Sequence, residues 1–310
     1  MNLAELKKAR EAETARVRAS TVLVWGPAKT GKTRWVATIA KAPQISKIFL
    51  WDLENGFETI IHATNGDGTP FLSEQELTKI NLIQVRDTPD RPLAAETMLK
   101  VFSKPRGYTA INPSDGKVKW QDKERKKDDD NIIIGPDDWG QDTCHIVDSV
   151  SQLGISMLNL AKLDLGDVKD IRRLYQPATT NLNNFFTMVQ ASNAFIICVT
   201  HVQTIEIVLT RDKSGNPINT KEDHYPLCLS KNYSKNVARS FGSVIYKYID
   251  GYEFAHVSTP TKKRGIQAGT RTDVDISSMP NATLPEMLKL VDFKAEAKSS
   301  TSNRLLQSRK

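Results

Sequence analysis

The sequence predicts an α/β fold: a mostly parallel central sheet flanked by helices, with an antiparallel strand extension at one edge. Three observations carry this. Short apolar runs alternate with segments of helical spacing through the first 200 residues. A glycine-rich stretch stands between the first such run and the first such helix. Near the other end, two apolar runs are joined only by Asp250 and Gly251, the signature of a tight hairpin.

The chain has 310 residues, of which 39% are hydrophobic and 25% charged. That suffices for a buried core and fits one large domain with attachments. The expected division is a helical arm over 1–19, a core over 20–275 with a surface insertion at 104–142, and a C-terminal segment over 276–310. That segment ends in a polar, basic tail expected to be disordered. No apolar run approaches the ~20 residues of a membrane span. The first 20 residues lack the apolar stretch of a secretory signal, so the cytoplasm is the expected location. Cys144, Cys198 and Cys228 show no paired spacing and read as buried, reduced thiols. His224 and Cys228 lack the second pair that a zinc site needs.

Residues 21–25 (Thr-Val-Leu-Val-Trp) form the first predicted strand, and a helix with Trp35, Val36, Ile39 and Ala40 on one side runs on to Pro43. Residues 48–52 form a second strand, 72–80 a helix and 81–86 a third strand. Pro92 opens a helix with Leu93, Met98, Leu99 and Phe102 on its apolar side. Within 104–142, alternation on both sides of Asp115 and Gly116 predicts a hairpin, and a charge run follows it. Residues 144–149 make the next strand, followed by a helix with Val150, Leu153, Met157, Leu160 and Ala161 on one face. A further helix covers 178–191, with Leu182, Phe185, Phe186 and Val189 as core residues. Residues 194–200 are the clearest buried strand. Residues 204–225, rich in charge and turn formers, read as a long flexible loop or hairpin, and strands over 242–249 and 252–258 complete the core.

The glycine-rich stretch comprises Gly26, Pro27, Ala28, Lys29, Thr30, Gly31, Lys32 and Thr33, a match to G-x-x-x-x-G-K-S/T in its required context of strand, loop and helix. Backbone N–H groups of such a loop converge on phosphate at a helix N-terminus. Lys32 would reach the β- and γ-phosphates of ATP, and the Thr33 hydroxyl would ligate Mg²⁺. Asp148 ends an apolar strand and is the candidate second Mg²⁺ ligand; it also suits a helix N-cap. Glu54 lies just past the second strand, where a carboxylate can orient and deprotonate an attacking water, or can be a plain surface acid. His201 stands at the end of the strand over 194–200, where it can sense the γ-phosphate or simply be a satisfied histidine.

The loop at 26–33, Glu54 in its Asp-Leu-Glu turn, and Ile-Val-Asp-Ser-Val at 146–150 together resemble the RecA-type recombinase core. The pattern is also similar to the compact phage-encoded RecA-like ATPases of the Sak type, proposed to act in single-strand annealing or recombination. The resemblance spans roughly 20–275. It implies a P-loop ATPase core in which Glu54 activates water and the residue at His201, a glutamine in RecA, is the nucleotide switch. It also implies that the loop beyond His201 contacts DNA. The 104–142 insertion has no counterpart in that family, and no large DNA-binding domain of the RecA kind is visible.

The net charge of +7 raises the expectation of a polyanionic partner. Residues 226–272 concentrate it, with eight Lys/Arg (among them Lys247 and Arg271) against Asp250 and Glu253. A cluster of this kind can neutralise phosphates or be a solvated face. Candidate DNA contacts are Arg211, Lys213, Lys221, Lys231, Lys235 and Arg239. With nucleotide at subunit borders, as in the family, Lys263 or Arg264 of a neighbour would stabilise transition-state charge, with Arg271 next. The resulting expectation is an ATP- and Mg²⁺-dependent, DNA-stimulated ATPase. It would bind single-stranded DNA, assemble into a homo-oligomeric ring or filament, and act in recombination or annealing in an infected bacterial host, with a single-strand-binding protein as a further candidate partner. The alternative is an ATP-switched regulatory or loader ATPase acting on a protein partner.

Overall fold

The computed structural model describes residues 21–121, 130–166, 168–250, 253–257, 268–270 and 282–288, with positions 5, 8, 266 and 290. The expected arm over 1–19 and the tail over 294–310 thus lie almost wholly outside the described residues, as do Lys262, Lys263, Arg264 and Arg271 and the charge run after residue 121.

The central sheet holds β1 (Thr21–Trp25), β2 (Lys47–Asp52), β3 (Ile80–Gln84), β7 (Thr143–Asp148), β8 (Phe195–Thr200), β11 (Ser243–Asp250) and β12 (Glu253–Val257). Its order is β12-β11-β1-β8-β7-β2-β3. Six of these strands run parallel, and β12 pairs antiparallel with β11 at the edge. The short β13 (Gly269–Thr270) also pairs with β11. β11, expected with β12 in an appended meander, is therefore a full member of the parallel sheet beside β1.

Period-two alternation decides which face each strand side chain enters. Leu23, Trp25, Phe49, Trp51, Val147, Ile196 and Cys198 pack into one core. Val22, Val24, Ile48, Leu50, Ile146, Ile197 and Val199 pack into the other. The first core is covered by α4 (Leu93–Ser103), α5 (Val150–Leu165) and α6 (Arg172–Ala191). The second is covered by α1 (Lys32–Ala37), its 3₁₀ continuation Thr38–Lys41, and the short turns α2 (Glu58–Ile61) and α3 (Glu74–Leu77). In the C-terminal segment, α8 (Leu284–Met287) adds Leu284 and Met287 to this second core, and the Trp35 indole donates to the Ala282 carbonyl at 2.9 Å. Both sheet faces are buried, as a parallel sheet requires.

Three local expectations change and a fourth is narrowed. The helix expected over 72–80 is the single turn α3, opened by a Ser73/Glu76 capping box and soon followed by β3. Helix α6 begins at Arg172, ahead of Pro177. A proline this close to the N-terminus removes one backbone bond just past a first turn whose N–H groups have no intrahelical partner. The 104–142 segment forms β4 (Thr109–Ile111), β5 (Val118–Gln121) and β6 (Ile132–Ile134), an antiparallel sheet with β4 in the middle. It is more than a surface insertion, because Ile111, Ile134 and Trp139 join the first core. Trp139 stacks on His145 with centroids 4.3 Å apart, and burial lowers the His145 pKa to about 4. Finally, of the two readings of residues 204–225, loop or hairpin, the hairpin holds: β9 (Val202–Arg211) and β10 (Pro217–Pro226) pair antiparallel, with register shifts between Pro217 and Thr220. Ile205, Ile207 and Leu209 supply the alternation of β9. Among the described residues no helix is long and apolar enough to cross a membrane.

Candidate phosphate and cation site

The loop after β1 is shaped by what lies beneath it. Gly26 has φ +148°, and a Cβ there would sit 2.0 Å from the Lys247 carbonyl oxygen of β11, so only glycine fits. Lys29 and Gly31 take left-handed values of 63° and 69°, turning the chain around a concave backbone surface. Lys32 opens α1 and is buried. Its ammonium donates to the Gly26 carbonyl at 3.0 Å and the Pro27 carbonyl at 2.6 Å, folding over the loop's mouth.

The acids come from the ends of β2 and β7, which are adjacent and in register, Asp52 opposite Asp148. The chain leaving β2 crosses toward β7, with Leu53 N–H donating to the Asp148 carbonyl at 2.7 Å. This carries Glu54 over the cleft. The Thr33 hydroxyl donates to Asp148 Oδ2 at 2.5 Å. Glu54 is held at both oxygens: the Ser149 hydroxyl donates to one, and His201 Nε2 lies 2.8 Å from the other. The Asp148–Ser149 peptide is cis. A cleft of about 470 Å³ is lined by Lys32, Thr33, Glu54, Asp148 and His201 together with Lys29, Arg34 and Thr59.

Electrostatics follow from crowding three carboxylates near one lysine. Burial raises the Asp148 pKa to about 6; the Thr33 hydrogen bond opposes this, Glu54 and Asp52 add to it, and Lys32 opposes it. Burial also lifts Asp52, against the backbone N–H groups that it accepts. Burial works against the charge on Glu54 too, but hydrogen bonds from His201 and Ser149 and the nearby positive charge hold its pKa below the ordinary value. Lys32 is lowered by burial, with Asp148 and Glu54 resisting.

The donors fit a small hard cation. Thr33 and Asp148 present oxygen only, and Mg²⁺ at a phosphate site takes one or two protein oxygens, leaving its other positions to phosphate and water. No group of three or more His, Cys, Asp or Glu placed to hold a metal occurs among the described residues. The space beside this pair is kept by Gly56, where a Cβ would lie 3.2 Å from Asp148 Oδ2 and 3.3 Å from Thr33 Oγ1.

The structure thus brings together Lys32, Thr33, Glu54, Asp148 and His201 from four separate segments. A second hollow, of about 570 Å³, lies on the loop's other flank between Pro27, Ala28 and Thr30, the tyrosines Tyr246 and Tyr248 of β11, and Lys221, Glu222 and His224 of β10. The other candidates are placed apart. Arg211 and Lys213 are exposed toward the far end of the hairpin, where the Arg211 guanidinium donates to the Gly215 carbonyl at 2.7 Å. Lys221 pairs with Asp223 at 2.8 Å. Lys231, Lys235 and Arg239 are exposed and spaced four apart along α7 (Lys231–Ser234) and the 3₁₀ turn Val237–Ser240. Lys247, counted in the basic cluster, is withdrawn from it: it is buried, with its amine 4.8 Å from the Trp35 ring centroid, and burial lowers its pKa to about 8.

Two contributors were not singled out as site residues from the sequence. Ser149 caps α5 by accepting the Gln152 N–H at 3.2 Å and also donates to Glu54. Asp52 is the first acid of the Asp-Leu-Glu turn, and its position at a strand end was the available signal.

No protein-family model matches the chain, and no curated protein matches it. Among solved structures it is similar to one described as a prototypical ATPase from the type III secretion system of pathogenic bacteria. The TM-score is 0.41 and the identity 14%, over 74% of this chain and 51% of that one, so this chain spans about half the length of that protein.

Proposed function

We propose that the chain is a Mg²⁺-dependent ATPase that converts ATP and water to ADP and phosphate. The observation that carries this is the meeting of Lys32, Thr33, Asp148 and Glu54 around one cleft beyond the carboxyl ends of parallel strands. Backbone N–H groups of 26–33 would receive the β- and γ-phosphates, with Lys32 exchanging the Gly26 and Pro27 carbonyls for phosphate oxygen. Mg²⁺, held by Thr33 and Asp148, would neutralise charge on those phosphates. Glu54 would hold the attacking water in line with the γ-phosphorus and take its proton. Ser149 and His201 keep that carboxylate aimed into the cleft. The tyrosine-lined hollow on the loop's other flank suits the nucleoside. Lys263 or Arg264 of a second copy would complete the charge stabilisation, which makes assembly part of the activity.

The polyanion partner in this reading is single-stranded nucleic acid, in annealing or recombination. Its support is the exposed strip of Lys231, Lys235 and Arg239 at the hairpin's root. One observation favours a protein partner instead. The hairpin carries Glu206, Asp212, Glu222 and Asp223 against Arg211, Lys213 and Lys221, and it exposes Leu209 and Ile218. Such a surface is poorly matched to a phosphate backbone. Phosphate release measured across protein concentration, with and without a single-stranded oligonucleotide, tests the proposal. Rates rising with both support the nucleic-acid reading; rates indifferent to the oligonucleotide, with no binding at ~50 mM salt, support the protein partner.

A further inference from the structure

We propose that Asp52 is a second carboxylate of the cation site, accepting a hydrogen bond from a water of the ion's shell while Thr33 and Asp148 hold the ion itself. This rests on the phosphate-site reading above and deepens it. Partners in register on neighbouring parallel strands project to the same face, with backbones about 4.8 Å apart. Asp52 and Asp148 are such partners, so their carboxylates emerge side by side. Asp52 is 1% exposed. One of its oxygens accepts the Gly56 N–H at 2.8 Å, fixing the turn that carries Glu54. The other, Oδ2, is buried with no hydrogen-bond partner among the described residues. Gly56, tied to Asp52, is the residue whose missing side chain leaves room beside Asp148 and Thr33. Two carboxylates shielded from water, one with an unsatisfied oxygen, are unfavourable as charges, and a cation with its water would relieve both.

The experiment titrates Mn²⁺ into full-length protein saturated with a non-hydrolysable ATP analogue, reading free Mn²⁺ by electron paramagnetic resonance. Asp52→Asn keeps an acceptor for Gly56 and removes the charge. It is expected to weaken Mn²⁺ binding about tenfold, or about 1.4 kcal/mol, while the metal-free variant melts at or above the wild-type temperature. Asp52→Glu, which restores the charge, is expected to recover part of the affinity. Asp52→Ser replaces Asp52→Asn if the latter is insoluble. Wild-type Mn²⁺ affinity in the neutral variant would overturn the proposal and leave Asp52 as a turn cap. Asp148→Asn is the control. If it too leaves Mn²⁺ binding unchanged, the phosphate-site reading itself is at fault, and the role of Asp52 falls with it.

Discussion

At the strand ends Lys32, Asp52 and Asp148 are each less than a tenth exposed, and Glu54 is fixed at both oxygens. On the adjoining hairpin, Arg211, Lys213 and Lys221 stand in water among acids of nearly equal number. Yet the two regions touch. His201 leads directly into β9 and reaches Glu54, and the Leu227 N–H just past β10 donates to the His201 carbonyl at 2.7 Å. Buried charge is costly unless it is paired or used, so the cleft's residue types are narrowly constrained and its chemistry can be read. Exposed charge costs little either way, so the hairpin's role is weakly encoded.

Of the two regions, the cleft is the more sensitive to a single substitution, above all at Lys32. Lys32→Ala is expected to reduce phosphate release by at least about a hundredfold, whereas Arg211→Glu leaves DNA-free turnover unchanged. Equal losses would erase the distinction between the two regions. Glu54→Gln comes next. Its kcat is expected to fall by roughly a hundredfold to ten-thousandfold with nucleotide binding retained in equilibrium dialysis. His201→Ala lies between the regions and sharpens the contrast. It is expected to lower kcat by less than Glu54→Gln, and to reduce any stimulation that the hairpin's partner provides.

Much of this cleft was legible because its residues follow from local rules. A tight phosphate loop needs glycine at 26, and the strand-loop-helix context locates Lys32 and Thr33. Asp148 was visible as an acid ending an apolar strand. Long-range packing was not legible. The stacking of Trp139 on His145, which docks the 104–142 segment, joins a 3₁₀ turn to a buried strand, and no local pattern announces it. The hairpin was only half legible: Ile205, Ile207 and Leu209 alternate as a strand does, but the charges and turn formers from Arg211 to Pro217 left a loop equally open. Buried Lys247 meets the ring of Trp35, more than two hundred residues away in sequence. The unpartnered oxygen of Asp52 has no sequence signature at all.

Two smaller effects remain. Each of Lys231→Ala, Lys235→Ala and Arg239→Ala is expected to weaken oligonucleotide binding modestly and to lower its salt slope by about 1; unchanged slopes would transfer the polyanion contact elsewhere. The smallest is a pH effect on the metal-free protein. The Asp148 pKa is raised by burial to about 6, above its unfolded value, so its contribution to stability is full below about pH 4 and is lost as pH rises through 6. Asp148→Asn should flatten this segment of a melting-temperature profile, and a profile identical to wild type would contradict the shift.

Lys32, Thr33, Asp148 and Glu54 are proposed as one centre that hydrolyses ATP. Single-turnover cleavage of γ-labelled ATP by Glu54→Gln, with bound nucleotide quantified in the same sample, tests it most directly. Wild-type binding with cleavage lost is the expected result, and cleavage at the wild-type rate would contradict the claim.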